Sequence, residues 1–139
     1  MQASNFLLQS GIYLVAGNAQ LDLHNDYDFV SVEFNVAVQA VDLRWQRSSS
    51  TRVSKDLPLC VSLKFEDVTH FEAIPGDPSF PKSESLCLSS FGYCTNDEWG
   101  KSQFWVEKEP EQDWGWSFQF QSKQEFRIRG AKAKVEFKH

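Results

Sequence analysis

Asp22, His24, Asp26 and Asp28 recur at every second position. On one continuous strand all four would point to the same side, where carboxylates and an imidazole can hold a divalent cation. An EF-hand loop also needs a glycine at its tight turn and a distal glutamate, and neither stands here. Asn25-Asp26 is itself turn chemistry, because these side chains bond their own backbone two residues on. The expectation is an Asx-rich turn and no metal.

Nucleophilic catalysis needs a serine or cysteine beside a histidine and an acid. The histidines are His24, His70 and the terminal His139, and no G-x-S-x-G elbow, phosphate-binding loop or dinucleotide fingerprint occurs. His70, with Glu72 two residues on, reads as an exposed strand position. Nineteen acids bring some carboxylates together in any fold, so a glycosidase-type pair has no specific support. The cysteines are Cys60, Cys87 and Cys94, an odd count without a C-x-x-C pair. That removes the spacing a zinc ribbon or thioredoxin-type site requires. Three free thiols suit a reducing, cytoplasmic compartment, with Cys60 as a small buried residue inside a strand. The sequence therefore assigns no catalytic residue, no metal ligand and no cofactor, and the chain reads as a non-enzyme.

Charge is laid out in blocks. Residues 1–43 carry five acids and no Lys or Arg, and residues 44–64 five bases and one acid. Residues 65–113 carry eleven acids and three bases, and residues 114–139 six bases and two acids, for a sum of −5. One consequence would be neighbouring strands of opposite charge facing each other across a wet sheet surface. The sharper one is a cluster of acidic loops that steers a basic partner. It names Asp97, Glu98, Glu107, Glu109, Glu111 and Asp113 as one acidic partner-binding surface, with Trp99 at its margin. These acids bracket a short strand expected at 103–107, and the ends of such a strand lie only about 17 Å apart. At modest ionic strength their fields overlap.

Arg127, Arg129, Lys132, Lys134 and Lys138 could touch phosphates as one basic face, but the acidic total opposes nucleic-acid binding. Trp99, Trp114 and Trp116 border acidic or glycine-containing loops, so a Trp-lined small-molecule or carbohydrate site is the alternative. Trp116 shares parity with Phe118 and belongs to the core, Trp114 begins the same face, and Trp99 is loop-borne.

The elements that would carry these side chains are strands. Trp114, Trp116, Phe118 and Phe120 alternate with small or polar residues. Phe126 and Ile128 do so next, then Ala131, Ala133, Val135 and Phe137 beyond Gly130. Alternation gives each strand one apolar and one wet face, and the short breaks predict a three-strand meander. Phe118, Phe120, Val135 and Phe137 should be buried, with Gln119, Lys134 and Glu136 outside. From Val30 to Trp45 the apolar parity changes phase, which predicts a β-bulge or a hairpin turn near Asn35. Residues 46–56 read as a loop, 57–65 as a strand, and the prolines at 75, 78 and 81 mark a rigid loop.

The sum is one all-β, mostly antiparallel domain over residues 1–139. It has about nine strands in a β-sandwich or flattened barrel, with at most a short N-terminal helical turn at 5–8, a stretch that reads equally as a first strand. No Lys or Arg precedes the apolar stretch 6–16, so it lacks a signal-peptide pattern, and no segment reaches the length of a membrane span.

The run Leu63-Lys64-Phe65-Glu66-Asp67-Val68-Thr69-His70-Phe71 is followed by Pro75, Asp77-Pro78, Pro81 and Glu84. With the closing aromatic strand and Ile128-Arg129-Gly130-Ala131-Lys132-Ala133, it resembles a pattern in small bacterial β-domains. Some of these are grouped with immunity proteins of toxin systems. The resemblance covers about half the chain and implies a β-domain that binds a protein partner. Its motifs are structural, so it transfers no functional residue.

Overall fold

The computed structural model describes residues 2, 3, 5–95 and 114–139. Among them run twelve strands and a single 3-10 turn at Lys82–Ser85. The strands are β1 (Gln2–Ala3), β2 (Leu7–Gln9), β3 (Tyr13–Ala16), β4 (Ala19–Asp22), β5 (Tyr27–Asn35) and β6 (Ala40–Arg47). Then come β7 (Cys60–Glu66), β8 (His70–Ile74), β9 (Leu88–Cys94), β10 (Gly115–Phe120), β11 (Glu125–Arg129) and β12 (Lys132–Lys138).

They form a five-stranded sheet ordered β1-β12-β7-β6-β5, a four-stranded sheet ordered β8-β11-β10-β9 and a small sheet β2-β3-β4. Every pairing is antiparallel except that of β1 with β12. The two larger sheets face each other as a sandwich and neither closes into a barrel. Alternation decides the facing sides. Val41, Leu43 and Trp45 of β6, Val61, Leu63 and Phe65 of β7, and Trp116, Phe118 and Phe120 of β10 all point inward and are buried. Rings from the two sheets meet there: Trp45 and Phe118 at 6.1 Å, Phe65 and Trp116 at 5.9 Å, Phe29 and Phe120 at 4.9 Å. The small sheet adds Leu8, Leu14 and Leu21, which align across its three strands and are buried.

The aromatic strand ends differently from the expected meander. β10 and β11 form a hairpin, but β12 crosses to the other sheet and pairs with β7. β7 and β8 make the same crossing alongside, so one antiparallel pair of chains turns the corner together. Thr69 N–H donates to the Arg129 carbonyl (2.8 Å) and Ala131 N–H to the Glu66 carbonyl (3.0 Å). Gly130 lets the two chains touch, since a Cβ there would lie 2.8 Å from the Glu66 oxygen. Phe118, Phe120 and Val135 are buried, whereas Phe137, near the end of the last strand, is only partly covered.

The phase change in the long apolar run has both expected causes. A register shift falls between Phe29 and Ser31, and a turn at 36–39 joins Asn35 to Ala40. β7 begins only at Cys60, after Pro58, so Leu59 stays exposed. Cys60 takes the outward parity and is half-buried rather than core. Residues 7–9 are a strand rather than a helical turn, because Leu7, Leu8 and Gln9 pair with β3.

Candidate functional site

Asp97, Glu98, Trp99, Glu107, Glu109, Glu111 and Asp113 all lie outside the described residues, as does the strand expected at 103–107. Their point of attachment is defined. After a register shift between Gln119 and Phe120, β9 and β10 pair without a break from Ser90 opposite Gln119 to Cys94 opposite Gly115. The stretch 96–113, with six acids and two bases, thus leaves and rejoins the sheet at neighbouring positions.

The densest polar cluster is on the outer face of the four-stranded sheet. β8, β11 and β10 set Glu72, Arg127 and Ser117 side by side in register, with Glu125 and Gln119 next to them. The Glu125 carboxylate accepts from Arg127 Nη2 (2.7 Å), Ser117 Oγ (2.9 Å) and Gln119 Nε2 (3.4 Å). Arg127 Nη1 lies 3.5 Å from Glu72 Oε1, and Glu72 Oε2 is 3.4 Å from His70 Nε2. Ser117, Glu125 and Arg127 are 0%, 7% and 8% exposed, although alternation gave this face to solvent. Ser117 donates to a carboxylate that a guanidinium already neutralises, so no base activates it as a nucleophile. This arrangement ties three strands together.

The expected basic face is divided. Arg127 and Arg129 stand on β11, while Lys132, Lys134 and Lys138 stand on β12 in the other sheet. The corner at Gly130 separates them. On the outer face of the five-stranded sheet, Glu33 and Asp42 stand beside Lys64 and Lys134 in one row, and ion pairs run within strands and diagonally between them. Arg44 bridges Asp42 (2.9 Å) and Glu33 (3.5 Å), Lys64 reaches Glu136 (2.9 Å), and Lys134 reaches Glu66 (3.1 Å). The Lys64 hydrogen bond holds the Glu136 carboxyl below the usual range, and Glu136 in turn raises Lys64. A shallow groove of about 350 Å³ lies over this lattice, between Val38 and Ala40 on one side and Lys64 and Lys134 on the other.

At the first constellation, Asp22 closes an Asx turn. Its Oδ1 accepts the His24 and Asn25 amides at 3.0 and 2.8 Å, and its Oδ2 accepts Asn25 Nδ2 at 2.7 Å. Asp26 pairs with Arg52 at 3.2 Å. His24 Nδ1 donates to the Leu88 carbonyl at 2.5 Å. The Cys87 thiol lies 3.7 Å from that same nitrogen, whose proton is already committed. Burial, then Glu84 and Asp28, push Cys87 above the ordinary thiol range, the opposite of an activated cysteine. No disulfide joins Cys60, Cys87 and Cys94.

Trp45, Trp114 and Trp116 are buried, and the rings of Trp45 and Trp116 pack against core aromatics. Exposed apolar side chains gather instead on β5 and its turn: Val30 56%, Phe34 39%, Val36 68% and Val38 62%. In the sequence these share one apolar parity. A bulge and a turn put Val30, Val36 and Val38 outside, and Phe34 lies on an edge strand. Among the described residues no helix is long and apolar enough to cross a membrane. Comparison with protein-family models, curated proteins and solved structures finds no match to this chain.

Proposed function

We propose that the chain is a non-enzymatic interaction domain that binds a basic protein partner through its acidic surface, in the manner of an immunity-type protein. The observation that carries the reading is where the sequence places its surplus of acid. In the sheets, acids and bases meet across strands, as Glu72 with Arg127, Glu136 with Lys64 and Glu66 with Lys134, or along one strand, as Glu125 with Arg127. The surplus of acid in the sequence falls in 96–113, where six acids accompany two bases. Both ends of that stretch attach at the Cys94–Gly115 register. Charge held on one insertion accelerates encounter with a cationic surface more than it strengthens the final complex.

The test is charge reversal at Glu109 and Glu111. A partner is first captured with the native protein and identified, and its association is then timed by stopped flow across a salt series. The reading expects Glu109→Lys/Glu111→Lys to slow association about tenfold or more at low salt and to flatten the salt dependence. The melting temperature should be nearly unchanged. An unaltered association rate would reduce the acidic stretch to a solvated surface and remove the main support.

A further inference from the structure

A strand edge that is long, open and unguarded is a place where another strand can pair. We infer that the free edge of β5, over residues 31–35, receives an extended segment of the partner by strand addition. The incoming segment carries cationic side chains on the outer face and apolar ones on the inner. This rests on the reading of a basic partner and adds where and how that partner docks.

β5 is the last strand of the five-stranded sheet, with β6 on one side and, among the described residues, no strand on the other. Its first half is closed: the bulge follows Phe29, whose N–H donates to the Leu86 carbonyl at 2.8 Å. Native edges are usually blunted by lysine, proline or an inward charge. None of these stands between Ser31 and Val41.

The two faces of the edge ask for different side chains. On the inner side Val32 lies opposite Leu43 and is partly buried. Phe34 lies opposite Val41, remains 39% exposed, and has its ring 5.5 Å from Phe71 on β8, at the open side of the sandwich. Apolar residues of an added strand would cover Val32 and Phe34. On the outer side Glu33 lies opposite Asp42, Arg44 bridges the two carboxylates, and Lys64 faces Asp42 from the far side on β7, leaving Glu33 at the edge with one ion pair of 3.5 Å. The Glu33 side chain is 63% exposed. A cation carried on the outer face of the added strand meets the exposed Glu33 carboxylate. A second copy of the chain would instead bring the same acidic edge against itself, and like charges across a strand pair are unfavourable.

The experiment uses the full chain and a fluorescein-labelled nine-residue peptide alternating lysine and valine, with a glutamate–valine peptide as control. Polarisation reads affinity, and hydrogen exchange by mass spectrometry reads location. Saturable binding of the lysine peptide alone, with slowed exchange at residues 31–35, is the expected result. Glu33→Lys, a surface change, should weaken that binding about tenfold, the scale of one lost charge contact. Protection confined to 97–113 would overturn strand addition and leave the basic-partner reading standing. No binding of either peptide, or equal binding of both, would overturn the proposal. So would self-association of the native chain in sedimentation with protection at 31–35, because the edge would then belong to a second copy.

Discussion

Removing the Glu125 carboxylate should be one of the most damaging single changes outside the aromatic core. Glu125 and Arg127 are 7% and 8% exposed, and their charges meet at 2.7 Å. In Glu125→Ala, Arg127 would keep only Glu72, at 3.5 Å, while its Nε is already buried without a partner. Ser117 Oγ, fully buried, would lose the oxygen it donates to. Stranding one member of a buried pair costs about 3–5 kcal/mol, a large share of the roughly 5–15 kcal/mol that holds a domain together. Urea unfolding at pH 7 with linear extrapolation would read the loss as a lower midpoint at unchanged slope. Glu125→Gln keeps the shape and an acceptor for Ser117, so it should cost less, about 1–3 kcal/mol. The double change Glu125→Leu/Arg127→Met removes both charges and should cost clearly less than the two single changes summed. If Glu125→Ala unfolds within about 0.5 kcal/mol of the native protein, water screens the cluster and the reasoning fails. Strict additivity would show that the pair does not act as a unit.

Other outcomes follow from the same structure. Phe118→Ala, at a fully buried ring packed on Trp45, Phe65, Phe91 and Trp116, should cost about 3–5 kcal/mol, and a melt unchanged within about a degree would contradict the register of β10. Burial pushes the Tyr27 hydroxyl, which donates to the Pro58 carbonyl, up to about 12. Its contribution is complete below the ordinary value near 10 and falls as pH rises toward 12, by about 2–3 kcal/mol in all, so the native advantage over Tyr27→Phe should shrink across that window and parallel curves would refute it. All three thiols should titrate with a disulfide reagent in denaturant, with buried Cys94 silent in the native protein and Cys87 slow; an intact mass two hydrogens low that reductant restores would contradict this.

Much of the fold was legible because alternation is a local property. β6, β7 and β10 each declare an inward face through residues two apart, and no distant contact is needed to read them. The path of β12 was not legible. Ile128 and Ala133 have the right parity for a two-residue hairpin across Gly130-Ala131, and equally for a strand that turns a corner. What separates the two is the Glu66 carbonyl beside Gly130, a contact across 64 positions of chain that no local pattern records. That one crossing also divided the supposed basic face into two arginines on one sheet and three lysines on the other.

The polar cluster on β8, β10 and β11 escaped for a related reason. Parity showed that Ser117, Gln119 and Arg127 share a face with polar character, but it carries no information on whether that face is covered. A signal was nonetheless present in the charge blocks. The acidic block beginning at residue 65 supplies β8 and the basic block beginning at 114 supplies β11; the two strands pair, with Glu72 opposite Arg127. The same rule explains Lys134 with Glu66, and Arg44 with Glu33, across β12, β7, β6 and β5. These three ion pairs join blocks of opposite sign and need no binding partner to account for them, although Lys64 still falls opposite Lys134 and Glu33 opposite Asp42. Support for a partner narrows to the surplus of acid that the sequence places in 96–113, and to exposed Glu33 on the open edge, whose ion pair among the described residues is the 3.5 Å contact with Arg44.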